Sequence, residues 1–238
     1  MNTVAELWRY PVKSFQGERV DRIEIGPGGA VGDRKLAVVD PAARKVLSAK
    51  RYADLLMAAA RLEGDEVVIT LPDGAEHAAT DPGVHGALSA WLDKEVRLEP
   101  PPTDGVFPME MYSGMSDEST PVFDWPGPEG TWLDLADAHW VTTASLGAWD
   151  VRRFRPTALI ESDETGEEWK KLRLGAVECE VFMPTPRCSM PSRAQPGLER
   201  DVSVGTTIRD TTNNNLGVYA TITRAGTIAV GDPVVSVE

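Results

Sequence analysis

Ala176-Val177-Glu178-Cys179-Glu180-Val181-Phe182-Met183-Pro184-Thr185-Pro186-Arg187-Cys188-Ser189 changes character half-way along. As far as Met183, every second residue is apolar, so Val177, Cys179, Val181 and Met183 share one face, the period of a half-buried β-strand. The two prolines then end the alternation, because each lacks a backbone N–H and fixes its φ. Cys179 therefore reads as a core thiol. Cys188 lies beyond the strand, where packing periodicity does not explain it. A flanking Arg187 cation favours the thiolate form, and a thiolate is both a nucleophile and a soft metal ligand. Cys188 is accordingly the candidate chemical centre, as catalytic residue, as metal ligand or as sulfur carrier.

Similar short strands recur outward from this segment. Residues 20–25 alternate, 36–39 are apolar, and 66–71 alternate after a Gly64-Asp65 turn that reads as a hairpin. Val218, Ala220 and Ile222 share a face before Ala225-Gly226 turns the chain into 227–230. This is a mainly β chain with a few helices (α+β), and many short strands closed by turns imply barrel-like sheets. Its 238 residues suffice for two packed barrel-like domains, with boundaries read at 1–98 and 131–238. Between them, 99–130 is proline-punctuated and aperiodic, a linker or a lid over a site. A second irregular stretch spans 184–200.

Three helices are predicted. Asp81-Pro82 supplies an N-cap and first turn ahead of Val84, Leu88, Trp91 and Leu92. A shorter helix starts near Thr143 and runs through Leu146 and Trp149. The third, over 167–172, has acidic residues leading and lysines following, as the helix dipole prefers. Residues 55–62 fit either helix or strand.

A formal charge of −13 excludes a nucleic-acid or anionic-membrane partner driven by phosphate neutralisation. No apolar run approaches the ~20 residues that span a bilayer, and the amino terminus lacks a leader pattern. Two cysteines build no disulfide framework, and a reducing, cytoplasmic setting is expected. Gly26-Pro27-Gly28-Gly29-Ala30-Val31-Gly32 is not a dinucleotide loop, since strand follows where a helix is required. His77, His85 and His139 are too scattered for a zinc site and read as surface or boundary residues.

Four blocks carry a resemblance. They are Tyr10-Pro11-Val12-Lys13-Ser14; Val31-Gly32-Asp33-Arg34; Arg153-Phe154-Arg155-Pro156-Thr157; and Arg187-Cys188, followed by Gly217-Val218-Tyr219 and Val230-Gly231-Asp232-Pro233. In that order the chain resembles the MOSC proteins with an amino-terminal MOSC β-barrel domain. That family includes the carboxy-terminal region of molybdenum cofactor sulfurases and the mitochondrial amidoxime reducing component. The resemblance implies an amino-terminal MOSC barrel over 1–98 and a MOSC domain over 131–238. It also implies binding of the molybdenum cofactor, an anionic pyranopterin phosphate, with Cys188 as the metal ligand. Lys13, Ser14, Arg34, Arg155, Thr157 and Arg187 would hold the cofactor, aided by the polar turn Thr142, Thr143 and Ser145. The activity implied is reduction of N-oxygenated, N-hydroxylated small molecules. The alternative is a non-redox carrier of persulfide or cofactor on the same cysteine. The chain ends at Glu238 without an electron-transfer domain, so a separate reductase or small redox carrier would be its partner. Two positions depart from the family pattern: Thr157 stands where Asn is usual, and Pro186 where a small donor is usual.

Overall fold

The computed structural model describes residues 2–105, 107–112 and 122–237. Its centre is a closed barrel of seven strands. Around the barrel, strand 158–161 neighbours 138–142, then 215–224, 177–186, 171–174, 233–236 and 2–9, which returns to 158–161. The 138–142 and 158–161 strands run parallel, whereas the others pair antiparallel. Closure leaves no free sheet edge among the seven. Val4, Leu7, Trp140, Ile160, Leu172, Leu174, Val177, Cys179, Val218, Ala220 and Val234 fill the interior. Cys179 is thus the core thiol its alternation implied, and burial raises its pKa to about 11.

The first strand, Asn2–Arg9, belongs to this barrel rather than to the sheets that follow it in sequence. The chain leaves the barrel at Tyr10 and builds a second core from Val12, Phe15, Val38, Leu47, Leu55, Leu56, Ile69 and Leu88. Short three-stranded sheets surround that core, including the 59–63/66–70 hairpin expected at Gly64-Asp65. Residues 53–57 are a 3-10 helix and 59–63 a strand, so both readings of this segment hold in part. The Tyr10–Ser14 segment therefore sits at the junction of the two cores.

Several expectations are corrected. Residues 167–172 form no helix: 167–168 is a turn, and Lys171–Leu174 is a strand with Leu172 and Leu174 buried and Lys171 and Arg173 exposed. That two-residue alternation outweighs the favourable order of charges. The first helix begins at Val84, with Asp81 accepting from the Gly83 N–H at 2.8 Å one turn earlier. The second stops at Leu146, because Gly147 has φ +57° and leaves Trp149 outside. An unexpected helix, Val202–Thr212, is capped by Asp201, whose carboxylate accepts from the Ser203 N–H at 2.9 Å. Its β-branched, threonine-rich sequence hides it from propensity.

The proline-rich segment is not a bare linker. Met109–Tyr112 pairs with Val122–Trp125, and Met109 packs with Trp132 on Ala37, Val39 and Val46. Among its described residues none lines the main cavity, so the lid reading finds no support there.

Candidate functional site

Between the two cores lies a cavity of about 110 Å³ that opens to solvent. Lys13, Ser14, Asp33, Arg34, Ser48 and Lys50 line it from the amino-terminal half. Asp134, Asp137, His139, Arg153, Arg155, Thr157, Arg187, Cys188 and Tyr219 line it from the other. Six cations thus face three carboxylates, an excess of positive charge in a protein of net charge −13. Such a concentration, largely desolvated, is built to receive an anion.

The backbone is forced where these groups meet. Ser14 (φ +70°), Arg34 (φ +45°) and Arg155 (φ +54°) all adopt the left-handed conformation that non-glycine residues avoid. Strain of this kind, on the order of 1 kcal/mol or more per residue, persists where surrounding contacts hold it, often at ligand sites. The 10–14 and 33–36 segments brace each other: Arg34 N–H donates to Tyr10 O at 2.8 Å and Lys13 N–H to Leu36 O at 2.9 Å. Asp33 accepts from the Tyr10 N–H at 2.7 Å and pairs with Arg34, so it shapes the turn and holds the cation at once.

Lys13 is buried, and its ammonium donates to Trp132 O at 2.7 Å and Asp134 Oδ1 at 2.8 Å. Desolvation lowers its pKa, and Asp134 opposes the shift. Arg155 donates to Phe15 O across the junction, and burial followed by the nearness of Arg34 pushes its pKa down to about 10. The Ser14 hydroxyl accepts from the Ala49 N–H at 3.1 Å, which fixes the loop leading to Lys50. Arg153 has another duty: it donates to the carbonyls of Pro191, Arg193 and Glu199 at 2.9, 3.2 and 2.8 Å, tying down the stretch after Cys188.

Cys188 is a half-buried free thiol in the cavity wall, and Cys179 is free within the barrel. The neighbouring Arg187 guanidinium donates to Phe154 O at 3.0 Å and lies 3.3 Å from His139 Nε2. If this contact is a hydrogen bond, Nε2 is its acceptor and the ring proton sits on Nδ1, because a guanidinium only donates. His139 is therefore a neutral wall residue, a correction to its surface reading. Its place in the strand Ala138–Thr142, buried on both faces, was the available signal: one ring nitrogen pair amid apolar neighbours.

Burial, and next the Arg187 charge, hold the His139 pKa well below its usual value. The unfolded chain takes up this proton near pH 6.5 while the native protein does not, so stability falls as pH drops below that point. Between pH 7.5 and 5.5 the loss should be on the order of 1 kcal/mol. Thermal midpoints of wild type and His139→Gln check it: the substitution should flatten this window, and an unchanged slope would remove His139 as its cause.

Of the residues singled out in sequence, Lys13, Ser14, Arg34, Arg155, Thr157, Arg187 and Cys188 meet at this cavity. Thr142, Thr143 and Ser145 do not. Thr142 and Ser145 form a reciprocal capping box, and Thr143 Oγ1 bonds both the carbonyl and the N–H of Ser162 at 3.0 Å. Their donors are spent within the fold, and the helix they open has four residues. Thr157 Oγ1 accepts from the His139 N–H at 3.2 Å and so orients that strand. Lys50, Asp134, His139 and Tyr219 are wall residues that sequence reasoning missed.

The donor set fits a phosphorylated, anionic group carrying a soft metal. Guanidinium and ammonium groups suit the phosphate, and Cys188 is the one thiol among the described residues of the wall. No group of three His, Cys, Asp or Glu side chains among the described residues could by itself hold a metal ion. A metal would have to come with its own ligands and add Cys188.

Comparison with known proteins agrees with the barrel. The MOSC N-terminal beta barrel domain profile matches residues 1–85, and the MOSC domain profile matches residues 134–235. Mitochondrial amidoxime reducing component 2 of Macaca fascicularis is 24% identical over 289 aligned positions, covering 98% of this chain and 83% of that protein. Among solved structures, the YUAD protein from Bacillus subtilis superposes with a TM-score of 0.50 at 10% identity, over 98% of this chain and 94% of that one, a likeness of fold alone.

Proposed function

The chain belongs to the MOSC family, a MOSC N-terminal β-barrel domain preceding a MOSC domain, and from that premise we propose that it binds the molybdenum cofactor and reduces N-hydroxylated small molecules. The observation that carries the reading is the position of Cys188, a lone accessible thiol on a wall otherwise dominated by buried cations from both halves of the chain. The similarity to an amidoxime reducing component supplies the reaction class.

When bound, the cofactor supplies the two-electron chemistry that cleaves an N–O bond. The chain's own part is placement. Arg34, Arg155 and Lys50 would attract and hold the cofactor's phosphate. Lys13, fixed by Asp134, adds a point charge beside it. Cys188 supplies the protein thiolate. The His139–Arg187 contact holds the Arg187 side chain at the wall with its charge intact, and the opening to solvent admits substrate and protons. Electrons come, in this reading, from a separate reductase or small redox carrier, as the similarity to one component of an amidoxime-reducing system suggests. The two free thiols fit a reducing cytoplasm. No helix among the described residues is long and apolar enough to cross a membrane.

The test is turnover of benzamidoxime and of N-hydroxylated bases by cofactor-loaded protein with a chemical electron donor. Amidine formation that depends on the loaded protein supports the reading. Loaded protein that reduces none of these compounds, while Cys188 accepts and passes on a persulfide, would replace it with sulfur carriage.

A further inference from the structure

Tyr10 lies where the amino-terminal strand leaves the barrel, and two of the cavity's cations rest on its ring. The guanidinium carbon of Arg34 is 4.7 Å from the ring centroid, and that of Arg155 is 4.2 Å. The ring is 1% exposed, and its hydroxyl has no hydrogen-bond partner among the described residues. Two like charges brought onto one ring repel, and Asp33 and Asp134 are the carboxylates near enough to offset them. Asp33 pairs with Arg34, while Arg155 donates, among the described residues, to the neutral Phe15 carbonyl.

The electron-rich ring face offsets part of that repulsion, since a cation over a desolvated aromatic face is attracted by the ring quadrupole. Asp33 holds the assembly in register by accepting from the Tyr10 N–H and pairing with Arg34 at once. Both arginines are also kept in the left-handed backbone conformation, which aims their side chains inward at conformational cost. A packing role alone would not call for two guanidinium groups on one ring.

We propose that Tyr10 is a positioning residue that holds Arg34 and Arg155 as a preorganised pair of guanidinium groups for a doubly charged oxyanion of the phosphate monoester class. This rests on the reading that the cavity takes a phosphorylated group, but not on molybdenum. The ring, not the hydroxyl, does the positioning.

Inorganic phosphate titrated calorimetrically at constant ionic strength into full-length protein, from a host that makes no molybdenum cofactor, tests it. Wild type and Tyr10→Phe should bind alike, and Tyr10→Leu should bind at least about tenfold more weakly. Equal affinity in Tyr10→Leu would overturn the role. Loss in Tyr10→Phe matching that in Tyr10→Leu would assign it to the hydroxyl and overturn the ring clamp. A wild type that binds no phosphate would remove the anionic reading of the cavity, and the clamp with it. Should Tyr10→Leu fail to fold, the arginine Nε–H resonances of wild type decide. Those of Arg34 and Arg155 should both shift on phosphate addition, and stationary resonances would refute the pairing.

Discussion

A Cys188→Ser chain should fold as the parent does and lose the proposed N–O bond reduction by more than about 100-fold, the upper end of what removal of a supporting group at a metal site costs. The fold is insensitive because Cys188 is half-buried, lies beyond the end of the barrel strand Val177–Pro186, and belongs to none of the buried apolar clusters. Serine is close in size but is a hard, weakly acidic donor, a poor substitute for a soft thiolate. Thermal midpoint and turnover should therefore separate. Retained turnover would detach Cys188 from the chemistry. Cys179→Ser is the control: it places a hydroxyl in the barrel interior and should lower stability before it affects any bound group.

Gly217→Ala should have a large structural effect, because the added methyl meets the barrel strand that carries His139. Gly217 has φ +80°, and a Cβ there would meet Trp140 O at 2.6 Å, His139 Nε2 at 2.7 Å and Val141 Cγ2 at 2.9 Å. Backbone strain of about 1–3 kcal/mol adds to overpacking of similar size, so about 3 kcal/mol or more should be lost. For a chain of this length that lowers the melting temperature by roughly 10 °C. The clash falls on the His139 nitrogen that accepts from Arg187, so the displaced ring would also disturb the wall. A loss below about 1 kcal/mol would mean that the 138–142 strand yields easily, and that the glycine does not set the position of His139.

How far the sequence revealed this arrangement depended on the kind of signal. The strand bearing Cys179 and the hairpin at Gly64-Asp65 were legible because alternation and turn chemistry act over a few residues. The barrel was anticipated as a class, but the membership of Asn2–Arg9 was not, because its partners 158–161 and 233–236 lie far along the chain. Lys13, Arg34, Arg155 and Arg187 stood out as basic residues at strand ends within recognisable blocks. Lys50 and Asp134 did not, because only the tertiary fold brings their segments beside Lys13. Thr142, Thr143 and Ser145 misled for the opposite reason: a polar turn before a helix satisfies itself as readily as it binds an anion. The helix Val202–Thr212 shows tertiary context overriding propensity, with Val204 and Ile208 buried on one face.

The central claim is that the cation-lined cavity holds the molybdenum cofactor through Cys188. Metal and pterin content decides it, measured on wild type and Cys188→Ser purified from a host that makes the cofactor. The account predicts close to one molybdenum and one pterin per wild-type chain, with the metal largely lost from the variant. Folded wild-type protein containing neither would contradict it.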